Sequence, residues 1–122
     1  MTISIGNVTK RQASEKTVEQ YLIQEVNKLG GTAYKFNSEN RRAVPDRLCV
    51  FPGRAVVFVE CKRPGKEPTD AQQRELDRLR EKNQLATWVS TKDEVNYLIG
   101  KLKHVANIVG LLHWTELRED QR

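Results

Sequence analysis

Cysteine is scarce in this chain: Cys49 and Cys61 are the two present in 122 residues. Two thiols cannot build the disulfide framework that holds many small secreted domains together. Both fall in strand-like runs, so buried free thiols in a reducing cytoplasm are expected. Long apolar runs are missing too, and no stretch approaches the ~20 apolar residues that a membrane-crossing helix requires. The first residues lack the apolar core of a secretory signal, so the expected location is the cytoplasm, with no membrane partner. The two histidines, His104 and His113, lack metal-ligand spacing. No zinc module or recognition helix stands out that would read a base sequence. Internal repeats and low-complexity tracts are absent. What remains is the composition of a globular chain, 38% hydrophobic and 30% charged, long enough for one domain with a modest core.

Charge is distributed unevenly. Between Lys35 and Lys66 lie eight basic residues (Lys35, Arg41, Arg42, Arg47, Arg54, Lys62, Arg63 and Lys66) and three acids (Glu39, Asp46 and Glu60). That local excess of five equals the net charge of the whole protein, +5. A basic rim around a small acidic centre suits a polyanion brought to a metal.

Hydrophobic periodicity supplies the elements. Ser14 can cap a helix over Glu15–Leu29, whose stripe is Val18, Leu22, Val26 and Leu29, and Gly30-Gly31 ends it. Strands are expected at Thr32–Phe36, Asp46–Phe51 and Arg54–Lys62, the last two joined around Pro52-Gly53. Thr69-Asp70-Ala71-Gln72 has the pattern of a capping box, opening a helix over Asp70–Asn83. A strand at Leu85–Ser90 and a helix at Lys92–Lys103, capped by Thr91, complete the pattern. The order α-β-β-β-α-β-α predicts an α/β fold with a mixed central sheet flanked by helices. Residues 1–13 are expected to be a flexible arm, 14–103 the folded domain, and 104–122 a partly helical extension. In that extension Leu111, Leu112 and Trp114 could form core or cover a dimer interface.

Glu60 and Lys62 stand two apart on one strand and therefore share a face. An acid and an amine at the end of a buried strand cost several kcal/mol without partners, which is why ordinary cores avoid them. Asp46 lies on the preceding strand. A two-residue turn at Pro52-Gly53 would pair Phe51 with Arg54 and Asp46 with Val59, setting the two carboxylates on opposite faces. One extra residue in the turn, or Asp46 just outside the ladder, is therefore expected. Asp46 and Glu60, with the backbone carbonyl of Cys61, are candidate ligands for Mg²⁺ or Mn²⁺, a hard ion that favours oxygen. Lys62 would orient or deprotonate an attacking water. On the first helix Glu15 and Glu19 flank the sheet-facing stripe. Glu15 is explained by the helix dipole, so Glu19 is favoured as the functional acid, with Glu15 second, and the two could help hold a second metal. Gln72 is either a cap or, by its alignment with Leu76, Leu79 and Asn83, a site residue. Arg41, Arg42, Arg47, Arg63 and Lys66 are candidate phosphate contacts, which position DNA without reading it.

At these residues the chain resembles the PD-(D/E)xK nucleases, and more closely a small standalone VRR-Nuc domain of phages and bacteria. The resemblance runs from about Ser14 to Ser90. It is carried by Ser14-Glu15 with Val18-Glu19, Val44-Pro45-Asp46-Arg47, Val57-Phe58-Val59-Glu60-Cys61-Lys62 and Thr69-Asp70-Ala71-Gln72-Gln73. It implies a restriction-endonuclease-like fold and cleavage of phosphodiester bonds with Mg²⁺ or Mn²⁺. Asp46, Glu60 and Lys62 match the core motif, with the first-helix glutamate and Gln72 as accessory positions. The resemblance further implies a homodimer acting on branched DNA such as four-way junctions, in a bacterial host cytoplasm if phage-encoded, with no organic cofactor. Two other functions fit the same residues: a noncatalytic DNA-binding module, and a nuclease for flaps, single-stranded ends or RNA.

Overall fold

A computed structural model of the chain describes residues 14–52 and 56–103. The expected arm, the extension with His104, His113 and Trp114, and Arg54 of the turn lie outside the described residues. The elements run α1 (Glu15–Lys28), β1 (Thr32–Lys35), β2 (Arg47–Val50), β3 (Val56–Cys61), α2 (Asp70–Glu81), β4 (Leu85–Val89) and α3 (92–103). None of the described helices is long and apolar enough to cross a membrane.

The helix starts follow from side chains that accept otherwise unpaired backbone N–H groups. Ser14 Oγ accepts from Thr17 N–H at 3.2 Å. Thr69 Oγ1 accepts from Gln72 N–H at 3.2 Å while Gln72 Oε1 accepts from Thr69 N–H at 2.9 Å, a complete capping box. Thr91 Oγ1 accepts from Glu94 N–H at 3.0 Å. At the other end of α1, Gly30 takes φ +78°, a left-handed conformation that an L side chain rarely adopts. Its neighbour Gly31 has a different reason. A Cβ there would lie 2.7 Å from the Val50 carbonyl oxygen and 2.8 Å from the Phe51 ring. The chain leaving α1 therefore lies directly on the end of β2.

Four strands form one sheet in the order β1-β2-β3-β4. The first three are antiparallel, and β4 returns parallel to β3 after the α2 crossover. Strand alternation then divides the residues between two faces. Val57, Val59 and Cys61 of β3 join Ala33, Cys49 and Val89 on one face. They pack with Val18, Leu22 and Val26 of α1 and Val95, Ile99 and Leu102 of α3. Each such side chain taken fully out of water contributes about 1.5–3 kcal/mol, which makes this layer the main core. Tyr21 Oη donates to Asn96 Oδ1 at 2.6 Å and ties α1 to α3. The other face carries Phe58, Glu60 and Lys62, and α2 covers it, with Leu76 fully buried. Trp88 is half-buried and stands beside Glu60 across the β3–β4 ladder. Cys49 and Cys61 are buried free thiols; burial pushes Cys49 up to about 12 and Cys61 higher still, so neither is a ready nucleophile.

Candidate active site

The register of the β2–β3 hairpin decides whether two carboxylates can meet. Val50 pairs with Val56, Cys49 with Val57, Leu48 with Phe58 and Arg47 with Val59. The connection is one residue longer than a two-residue turn, which would have paired Val50 with Ala55. One step past the start of β2, Asp46 therefore stands opposite Glu60. β2 begins one residue later than the hydrophobic pattern suggests because Asp46 bonds through its side chain. Its Oδ2 accepts from Cys61 N–H at 2.9 Å, while its main-chain carbonyl accepts from Phe36 N–H at 2.8 Å. That first contact fixes the carboxylate against the end of β3. A residue's N–H and C=O leave a strand on the same side, so the Cys61 carbonyl is directed toward Asp46 as well. Lys62 N–H, one residue on, turns the other way and donates to Val89 O at 2.8 Å.

Glu60 is 2% exposed, and its Oε1 has no hydrogen-bond partner. Its Oε2 lies 3.5 Å from Lys62 Nζ, long for a strong charged hydrogen bond. Burial raises the Glu60 pKa to about 7, the nearby Asp46 carboxylate adds to the rise, Lys62 opposes it, and Glu15 adds a little more. A buried acceptor without a donor costs about 1–3 kcal/mol, so the unpartnered Glu60 oxygen fits a bound cation. Among the described residues no three His, Cys, Asp or Glu side chains converge. The available set is two carboxylates and a main-chain carbonyl. This suits Mg²⁺ or Mn²⁺, hard ions that hold few protein oxygens and complete their shell with water.

The first-helix acids separate. Glu19, favoured from the sequence, accepts from Arg47 Nε at 2.8 Å, and Arg47 Nη1 also donates to the Ala33 carbonyl at 3.0 Å. Arg47 lies opposite Val59, so this ion pair belongs to the α1 face of the sheet. Glu15 is exposed, yet near enough to Glu60 to raise its pKa. Gln72 uses Oε1 and its backbone N–H in the capping box.

The basic candidates also divide. Arg42, Arg63 and Lys66 are exposed. Arg47 is instead a strut between α1 and the sheet, its side chain 17% exposed. Arg41 reaches over to α2, where Glu75 Oε1 accepts from its Nε at 2.9 Å and from its Nη2, and from Arg78 Nη1. These donors hold the Glu75 carboxyl below the usual range. Sequence reasoning missed Glu75. Its i,i+3 relation to Arg78 was visible, but Arg41 arrives from 34 residues away. Between this cluster and the sheet lies a cavity of about 550 Å³, lined on the sheet side by Phe36 and Phe58.

No protein-family model matches the chain. Over 69 residues, 57% of this chain and 74% of the relative, it is 52% identical to a protein of Acyrthosiphon pisum secondary endosymbiont phage 1 that carries the name "Putative nuclease p44". A solved "VRR_NUC domain" superposes with a TM-score of 0.67 at 31% identity, covering 70% of this chain and 94% of that one.

Proposed function

This chain belongs to the VRR-Nuc family, and from that premise we propose that it is a Mg²⁺- or Mn²⁺-dependent DNA endonuclease selective for branched DNA such as four-way (Holliday) junctions. The observation that carries the reading is the pair of carboxylates at the end of β3. There a buried Glu60 has an unpartnered oxygen, with Asp46 opposite and Lys62 alongside.

Asp46, Glu60 and the Cys61 carbonyl would hold the ion, as the acidic part of a PD-(D/E)xK site. The bound ion supplies a lowered pKa for the attacking water and compensation for charge building on the phosphate oxygens. The rest is the work of the chain. Cys61 N–H keeps the Asp46 carboxylate aimed. The Lys62 side chain, 14% exposed, holds a proton-transfer group beside the acids and can orient the water or take its proton. Exposed Arg42, Arg63 and Lys66 offer phosphate contacts independent of sequence. Glu15, close enough to Glu60 to raise its pKa, is one accessory group, and Gln72 at the start of α2 is the other. Glu19 acts through Arg47 by holding α1 on the sheet. A homodimer fits the proposed substrate, because a two-fold axis sets two sites at fixed spacing for paired cuts.

The test is cleavage of four-way junction, flap, linear duplex and single-stranded DNA with Mg²⁺, Mn²⁺ or EDTA, beside Lys62→Ala. Paired metal-dependent cuts in the junction, lost in the variant, are expected. Cleavage that persists in EDTA would remove the metal assignment. Binding without cleavage of any substrate would favour a noncatalytic module. Sedimentation showing monomer alone at micromolar concentration would remove the dimer.

A further inference from the structure

We propose that the cavity between α2 and the sheet receives one unpaired nucleoside of the DNA strand held at the site, its base against Phe36 and Phe58 and its phosphate on the arginine-lined rim. This rests on the nuclease reading above and specifies the substrate further.

Four observations converge. The volume, about 550 Å³, falls within the range of small-ligand sites; it suits a nucleoside and is far too small for a duplex. Phe36 and Phe58 meet edge to face, with ring centroids 5.6 Å apart and planes at 60°, so one can stack on a base while the other meets its edge. Arg41, Arg78 and Lys82 border the same space, with Glu75 as the single acid among the lining residues. Glu75 neutralises one of these three charges and fixes both guanidinium groups at the rim, leaving a net positive mouth. Finally, the cavity lies beside the candidate active site along β3. Phe58 precedes Glu60 by two residues on the same strand face, about 7 Å along the strand. Phe36 N–H bonds the main-chain carbonyl of Asp46. An occupant would therefore sit one nucleotide away from a phosphate at Asp46 and Glu60. A paired base offers neither of its faces to a pocket, whereas an unpaired one offers both at small unstacking cost.

The experiment uses full-length protein and a duplex with a single unpaired thymine, compared with the fully paired duplex. Binding is measured in EDTA, with permanganate oxidation of that thymine as a second readout; cleavage is measured separately in Mg²⁺. Wild type should bind the bulged duplex about tenfold more tightly and shield its thymine, the range seen for one base stacked on an aromatic ring. Phe36→Leu should lose most of the preference and the shielding, with affinity for paired duplex unchanged. Arg78→Ala, an alteration at the exposed rim, provides a variant less dependent on packing and should lower bulge affinity severalfold. Equal affinities, or a thymine still oxidised in the complex, overturn the proposal. If Mg²⁺-dependent cleavage survives that result, the nuclease reading stands without the pocket. If the thymine is shielded and no substrate is ever cut, the pocket stands and the nuclease reading falls.

Discussion

Glu60 and Glu75 are both buried glutamates in the layer between the sheet and α2, 2% and 7% exposed. Their surroundings differ in one respect, the supply of donors. Glu75 receives three N–H bonds from Arg41 and Arg78, and its pKa falls. Glu60 has one distant ammonium and an empty oxygen, and its pKa rises to about 7. The chain does supply arginines to a buried carboxylate where the carboxylate is structural. None reaches Glu60, so one oxygen of that carboxylate stays without a donor.

Activity gives the largest contrast between the two. Asp46→Asn and Glu60→Gln should each cut cleavage by about 10³-fold or more, with DNA binding kept or improved, since both remove metal-directed charge. Gel-based cleavage and binding assays on one preparation check this; undiminished cutting by either variant would refute its assignment. Glu75→Gln should leave the metal-dependent step in place and act on stability instead. Its two arginine partners are about half exposed, so the loss is screened to about 1–2 kcal/mol. A thermal melt should fall by about 4–8 °C per kcal/mol in a domain of this size.

Stability of the metal-free protein supplies the opposite sign at Glu60. With a folded pKa of about 7 against an ordinary 4.5, the group favours the folded state fully at acid pH, and that contribution fades as pH climbs from 4.5 through 7. Melts in EDTA should therefore drop by several degrees between pH 5 and 8. Glu60→Gln should flatten that slope and raise the melting temperature at pH 8, where Glu75→Gln lowers it; the Glu75→Gln effect should shrink toward acid pH, as the wild-type carboxyl is itself protonated. Saturating Mg²⁺ should restore wild type at pH 8 and do little for Glu60→Gln. The smallest effect belongs to the α1 acids. Glu19→Gln loses the charge of a partly exposed pair, at about 0.5–1 kcal/mol. Glu15→Gln should weaken Mg²⁺ binding severalfold, and a larger metal defect in Glu19→Gln would restore the order expected from the sequence.

The same contrast explains what could be read in advance. Ser14, Thr69 with Gln72, and Thr91 announced their helices because capping acts within four residues. The two faces of β3 followed from alternation alone, and the need to bring Asp46 opposite Glu60 implied the extra residue in the turn. Glu75 was illegible because its decisive partner, Arg41, comes from a polar loop with no periodicity. Arg47 looked like one cation among many. Its strand parity puts it on the α1 face, where Glu19 awaited it, but parity depended on the register. The Phe36–Phe58 cavity needed β1 and β3 in place before it existed.

The spacing between Val50 and Val56 carries a genetic consequence. Loss of one codon there would leave Asp46, Glu60 and Lys62 all encoded, but a hairpin that kept its present turn length would have to slip by one residue. Asp46 would then face Val59 or Cys61, and the two carboxylates would part, whereas closing on a two-residue turn would keep them together. A lineage could silence the enzyme by a three-base deletion at the far end of the hairpin from the chemistry, and a matching insertion could revive it. The length of that turn is inherited information of the same rank as the acids themselves.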